Sequence, residues 1–366
     1  MKTKPKKLTE RLNIVWTIAA KDILDGLKNK VVLSMVLGVL FMLLMPSVMT
    51  WMLEPTYTTV LVYDPSSSQL ISLLEEDKAF QVQRLPSFES FEDAVAGVGF
   101  AMGIEYGLLV PTDFDQRQAA GETATVEVYV PWSFRLKISK LSQQIEQQLT
   151  TLSGTPVQVD YEGNLVYPPP QSSLLLGLST WLPVVIILMV GLNMMPQLFF
   201  EEKQTQTLDA LLVSPATEGQ MVAGKALVGM FYIVVTALVA FGLNWNKVVH
   251  WELMLLFVLF GGLFGVGAGL VLGTFFKRYQ EIFGWSTLIL LLLIAAIFVQ
   301  MMDLDLPGFL HELLPWVPSV AMTELIIYSY LKVVDWGDAL INAGSLLAIS
   351  AVLYTLVVWR LHRSDR

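Results

Sequence analysis

The chain contains no cysteine, which excludes disulfides, thiolate zinc sites and cysteine nucleophiles. Histidine is nearly as scarce, and the three present, at 250, 311 and 362, outline no metal site. His311-Glu312 starts like a zinc-protease motif but lacks the second histidine. Charge is thin too. Only 15% of the residues are charged and 54% are hydrophobic, whereas a soluble protein carries about 25% charged residues. With a mean hydropathy of +0.58, the chain falls in the membrane class. The centres of its long apolar runs hold no Asp, Glu, Lys, Arg or His. Ion-coupled carriers keep such groups inside the bilayer, so energy for any transport has to come from outside this chain. Asn193, Gln300 and Asn342 are the strongest polar groups there, and they read as helix–helix hydrogen bonds. No Ser/His/Asp grouping is visible, which disfavours an intramembrane enzyme.

The charges that exist are unevenly spread. Net charge is −9, and half of the 32 acids lie between Glu54 and Glu162. Lys2, Lys4, Lys6, Lys7, Arg11, Lys21, Lys28 and Lys30 gather at the N-terminus. This distribution gives nucleic-acid binding little support; the acidic balance reflects a water-exposed domain.

Residues 1–30 read as a basic tail followed by an interfacial helix. Leu8, Leu12, Val15, Ala19, Ile23 and Leu27 recur at three- and four-residue steps and share one helical face. Residues 31–53 form a first apolar span. Its apolar core is too long for a cleaved signal peptide, and no small-x-small site follows. Residues 54–172 change character. Strands are expected at 58–64, 80–85, 106–111, 124–130 and 157–161, with helices at 66–77, 90–97 and 135–152. Ser90 and Asp93 stand at cap-box spacing. The expectation is a small α/β domain, tethered back to the membrane by Pro168-Pro169-Pro170.

Five further spans follow, at 174–200, 226–243, 253–275, 285–302 and 339–361, with Pro183 and Pro196 as kink points in the first of them. Residues 303–338 are cut by Pro307, Pro315 and Pro318 into apolar pieces too short to span, which reads as re-entrant or interfacial helices. Lys277, Arg278, Arg360, Arg363 and Arg366 share a side with the basic N-terminus, so both termini, including the tail 362–366, are expected in the cytoplasm. The fold class is therefore an α-helical integral membrane protein of six transmembrane helices, with an extracytoplasmic α/β domain inserted between spans 1 and 2.

Gly261, Gly265, Gly269 and Gly273 stand at four-residue steps in the fourth span. They form a smooth face for helix packing, within the subunit or between subunits. The polar stretch 201–225 is the largest interruption in the C-terminal half. Gly219 to Lys225 has phosphate-loop spacing, but Ala226 stands where the magnesium-binding Ser or Thr is needed and no strand precedes it. Thr217 and Gln220 instead make a capping box, placing Lys225 on a helix that runs into the third span.

With these residues in view, the chain resembles the permease subunits of ABC-2 type exporters. Glu201, Glu202 and Lys203 fill the charged cluster after the second span. Thr207-Leu208, Leu211-Leu212, Ser214-Pro215 and Gly224-Lys225 match the family pattern; Asp209 replaces a usual Glu and Gln206 a usual Gly. The resemblance implies a chain with no ATPase and no cofactor of its own, in the plasma or inner membrane. It implies pairing with a second permease subunit, identical or related. It also implies a separate ATP-binding cassette ATPase docked on the N-terminal helix and on the coupling loop: Glu201, Glu202, Lys203, Thr207, Leu208, Asp209, Leu211, Leu212, Ser214, Pro215 and Lys225. The competing reading is a non-transporting scaffold, a secretion-apparatus subunit or a receptor with an external domain.

Overall fold

A computed structural model describes residues 8–52, 58–98, 104–161, 163–167, 173–198, 217–276, 278–301 and 307–364. Two amphipathic or apolar helices open it, α1 (Leu8–Lys28) and α2 (Lys30–Met52). A mixed sheet with its helices comes next, and the remaining elements are helical.

The sheet comprises β1 (Thr58–Tyr63), β2 (Phe80–Arg84), β3 (Ile104–Leu109), β4 (Ala124–Pro131) and β5 (Val157–Asp160), with the short β6 (Leu165–Val166) beside β4. Its strand order is β2-β1-β3-β4-β5. β1 is parallel to both β2 and β3, β3 and β4 are antiparallel, and β4 and β5 are parallel. Val60, Leu61 and Val62 of β1 are all buried, as a strand covered on both faces demands. α3 (Gln69–Glu76) and α6 (Ile138–Ser153) supply Leu70, Ile71, Leu74, Leu141, Ile145 and Leu149 to one face. α4 (Phe88–Val98) sets Phe91 and Val95 on the other. β4 alternates as its sequence requires, with Val126 and Val128 buried and Glu127 and Tyr129 half-buried. α5 (Phe114–Ala119) is an addition to the expected set. One cap differs. α4 begins two residues before Ser90, and Ser87 Oγ accepts from the Ser90 N–H at 3.2 Å. Ser87 outcompetes Ser90 as the cap because its side chain meets the free N–H three residues on.

Among the described residues, five helical segments are long and apolar enough to cross a membrane: Thr180–Leu198, Gly219–Gly242, Trp251–Phe275, Gln280–Met301 and Trp336–Arg363. The first belongs to α7, which runs Ser173–Met189, widens into a π turn over Val190–Met194 and continues to Leu198. That turn comes just before Pro196, whose ring cannot accommodate a normal helical carbonyl four residues back. The others belong to α8 (Glu218–Asn244), α9 (Trp251–Phe275, with its own π turn at Phe257–Gly261), α10 (Tyr279–Met301) and α13 (Trp336–Ser364). α2 has 23 residues and carries the apolar run Val32–Met42. α11 (Gly308–Leu313) and α12 (Pro318–Tyr330) are too short to span.

The glycine face of α9 explains how these helices close up. A Cβ at Gly269 would stand 2.0 Å from Gly191 O in the π turn of α7, and one at Gly191 would stand 2.3 Å from the Gly265 carbonyl carbon. Gly261 meets Met322 of α12 instead. No residue with a side chain fits between the two backbones at Gly191.

Among the described residues, a cluster around Trp132 fastens the α/β domain to the helical part. Trp132 and Tyr167 stack at 4.7 Å. The Arg135 guanidinium lies 4.2 Å over Trp132, and Lys332 Nζ lies 5.1 Å over Tyr167. Arg135 Nη1 donates to Trp132 O and to Asn246 O, while Asn246 Nδ2 donates to Ser133 O over 2.8 Å. The same α8–α9 turn donates from Val249 and His250 to Ser329 O of α12, at 2.8 and 2.9 Å. Stacked between Trp132 and its hydrogen-bond partners, Arg135 is desolvated, and burial lowers its pKa.

Candidate functional site

Two places in the helical part concentrate polar chemistry. The first is a cavity of about 410 Å³ between α2, α7 and α10. Met35, Val36, Val39 and Met42 line it from α2, Met189, Val190, Asn193 and Met194 from α7, and Ile282, Phe283, Ser286, Thr287 and Leu290 from α10. None of these described lining residues is charged. Besides Thr287, its polar lining is one linked pair: the Ser286 hydroxyl donates to Asn193 Oδ1 at 3.1 Å, sharing its proton with Phe283 O at 3.0 Å. Asn193 Nδ2 donates back to Met189 O over 3.2 Å. The π turn is what aims Asn193 at α10, since widening a helical turn rotates the residues after it. Four methionines in the wall make the cavity deformable and polarisable. Such a site suits a flexible apolar group with one neutral hydrogen-bonding function.

The second place is the start of α8. Thr217 Oγ1 accepts from the Gln220 N–H at 3.3 Å, and the Thr217 N–H donates to Gln220 Oε1 at 2.9 Å, completing the expected capping box. Lys225 is on α8 as expected, but its side chain is only 3% exposed, and Nζ lies 3.4 Å from Asp22 Oδ2 of α1. Beside the pair, Tyr232 Oη donates to Ile23 O over 3.1 Å. α1 buries part of the face its apolar spacing picks out: Ala19 is buried and Val15 and Ile23 are half-buried. Ile18, Ala19, Asp22 and Gly26 turn to α8, while Leu12, Trp16, Leu24 and Leu27 are exposed. The reason is Gly26 and Gly224: their missing side chains admit Tyr232 and Ile18, and this close approach sets the rotation of the helix.

The other coupling-loop expectations, Glu201, Glu202, Lys203, Thr207, Leu208, Asp209, Leu211, Leu212, Ser214 and Pro215, lie outside the described residues. Of the three polar groups expected to bond between helices, Asn193 meets Ser286, and Gln300 Nε2 donates to Glu324 Oε1 of α12. Burial pushes the Glu324 carboxyl up from its ordinary pKa. Sequence reasoning missed Asp22, Ser286 and Glu324. The available signal for Asp22 was an acid on the side of α1 away from Lys21, Asp25 and Lys28. Ser286 and Glu324 gave none, because their importance comes from partners distant in sequence.

Several apolar helices of spanning length define a multi-pass membrane protein. Residues 30–359 match the family described as ABC-2 family transporter protein, and the chain belongs to that family. It is thus a transport permease, a membrane subunit rather than a catalytic one. No curated protein matches the chain.

Proposed function

We propose that the chain is the membrane subunit of an ATP-driven exporter, with α2 as the first of six spans and the α/β domain outside the cytoplasm. Both termini lie in the cytoplasm of a plasma or inner membrane, and the cavity between α2, α7 and α10 is part of the cargo pathway. A separate ATP-binding cassette subunit docks on α1 and on residues 201–216, and a second permease, identical or related, completes the pathway. The observation that carries the reading is the family match across residues 30–359 joined to a cavity whose described lining residues carry no charge. An uncharged wall favours an amphipathic or lipid-like cargo over an inorganic ion, because an ion stripped of water there would find no compensating charge.

Purification of the tagged protein from its native membrane in mild detergent tests the proposal. Recovery of an ATP-binding cassette subunit, lost on Leu211→Asp, is the expected result. Recovery of large envelope or secreted proteins in its place would favour a scaffold. Transport of an inorganic ion by the reconstituted complex would overturn the cargo class. The glycine face of α9 packs within one subunit on this reading, so it is not the seam between two.

A further inference from the structure

The joint between the α/β domain and the helices carries unbalanced positive charge. Arg135, Lys137 and Lys140 approach it from the domain, and Lys332 joins from the α12–α13 turn through Tyr167. Half of the chain's 32 acids lie between Glu54 and Glu162, yet among the described residues none forms an ion pair with these four cations. Asp335, three residues after Lys332, turns its carboxylate to the N–H groups of Gly337 and Asp338 instead. Arg135 Nη1 donates to Trp132 O and Asn246 O, while Nε and Nη2 donate to no described residue, so three of its five donors remain. Trp132 Nε1 is shut off from solvent and also lacks an acceptor. A donor in that state marks a place where an acceptor is missing. The height of the joint is set by the helices. Asn246 stands four residues beyond Gly242, and Lys332 four before Trp336. Four residues rise about 6 Å in a helix, and the headgroup layer on each side of a bilayer is about 5–7 Å deep. Trp245, Trp251 and Trp336 are exposed at these same helix ends, as tryptophans at a membrane interface are. Leu136 and Val333, each next to one of the cations, are 58% and 80% exposed.

We propose that Arg135 and Lys332, carried by the Trp132–Tyr167 stack, form a binding site for the headgroup of an anionic phospholipid in the leaflet next to the α/β domain. The inference goes beyond the exporter reading: it needs only the spans, whatever the cargo and whichever side the domain occupies. The open edge of the Arg135 guanidinium takes the phosphate as a fork, and Lys332 adds a second positive charge at the same depth. Leu136 and Val333 then lie where acyl chains begin, which removes them from water. An anionic headgroup fits better than a zwitterionic one. A headgroup amine would sit among cations with no carboxylate to receive it, and the two aromatic rings that could hold it already carry Arg135 and Lys332. A free phosphate ion would leave Leu136 and Val333 exposed, so a lipid is the occupant the surface fits. Bound there, the lipid becomes part of the joint that seats the domain on the membrane.

Hydrogen exchange of the full-length protein in mild detergent tests this, read at residues 131–137 and 331–334. Dihexanoyl phosphatidylglycerol, dihexanoyl phosphatidylcholine and inorganic phosphate are titrated in parallel over the same concentrations. Phosphatidylglycerol is expected to slow exchange at both segments, by about threefold at twice its Kd, while the other two leave it unchanged. Equal slowing by phosphatidylcholine would overturn the charge selectivity, and equal slowing by inorganic phosphate would overturn the lipid as occupant. No slowing with any of the three would overturn the site. Arg135→Gln should weaken the phosphatidylglycerol effect about tenfold, as loss of a charge-assisted hydrogen bond does. Arg135 also bonds Asn246 O, so Lys332→Gln is the second variant: its one polar contact among the described residues is with the Tyr167 ring. Without lipid it should exchange like the parent, and its phosphatidylglycerol affinity should fall about fivefold. Parent-like protection by phosphatidylglycerol in either variant would place the lipid elsewhere and refute the proposal.

Discussion

Gly269→Ala is the sharpest probe of how the helical part is held together. The new Cβ would lie 2.0 Å from Gly191 O, 3.0 Å from the Gly191 carbonyl carbon and 3.0 Å from Met195 Cβ. An ordinary contact needs about 3.5 Å. Neither obstacle is the flexible end of a side chain, so α7 and α9 have to part along their length. Overpacking of this kind costs about 1–3 kcal/mol, and a backbone obstacle belongs at the upper end. Alanine also gains about 1 kcal/mol over glycine as a helix former, which would mask part of the loss. Gly344→Ala in α13 is the control, because nothing lies within 4 Å of its added Cβ. The propensity gain is common to both variants and cancels in the comparison. The remaining difference of about 3 kcal/mol corresponds to roughly 6–12 °C in thermal unfolding for a large domain. Melting curves of both purified variants in the same detergent, read by tryptophan fluorescence, measure it. Equal midpoints for Gly269→Ala and Gly344→Ala would refute the claim that the Gly191 contact holds the two helices.

Other expectations follow from the same geometry. Asp22→Ala removes the buried carboxylate beside Lys225 and should cost up to about 3 kcal/mol. Pairing it with Lys225→Met should recover most of the folded yield in size-exclusion chromatography, and equal yields for single and double variants would contradict this. Trp132→Ala removes a stack and a cation–π contact worth together about 2 kcal/mol. Hydrogen exchange should then rise at 246–250 and 331–335, and unchanged exchange there would show that the cluster does not fasten the domain. Burial holds Lys247 at a pKa of about 8 instead of 10.5. Between these values the unfolded chain binds more protons than the folded one, so this residue's contribution to stability rises with pH. Lys247→Met should therefore melt above the parent at pH 7, with the gap closing as pH climbs past 8 towards 10.5; a constant gap would refute the assignment. Asn193→Leu should cost only about 0.6 kcal/mol of stability yet change cargo affinity or rate. Transport kinetics unaltered in both would remove the cavity from the pathway.

Periodicity and composition were enough to identify the membrane class, the sheet strands, the capped start of α8 and the glycine face of α9. Each of these depends on residues close in sequence. A strand buried on both faces needs a continuous apolar run, a cap needs Thr217 and Gln220 at a fixed offset, and a glycine face needs only a four-residue step. The family, too, was legible in the short motif around 201–225 together with the order of the spans.

What local spacing could not decide was rotation and partnership. The apolar rhythm of α1 puts Leu12, Ala19, Ile23 and Leu27 on one face, but Ala19 is buried while Leu12 and Leu27 are exposed, because contact with α8 is set by two glycines, of which Gly224 is distant in sequence. Lys225 looked like a surface group until Asp22 was found beside it. The cavity is lined in part by a π turn, which shifts the register of α7 by a fraction of a turn that no sequence pattern announces. A helix declares its own apolar and polar residues; which of them meet, and across what gap, depends on how neighbouring backbones pack, and that is decided only when all the helices are assembled.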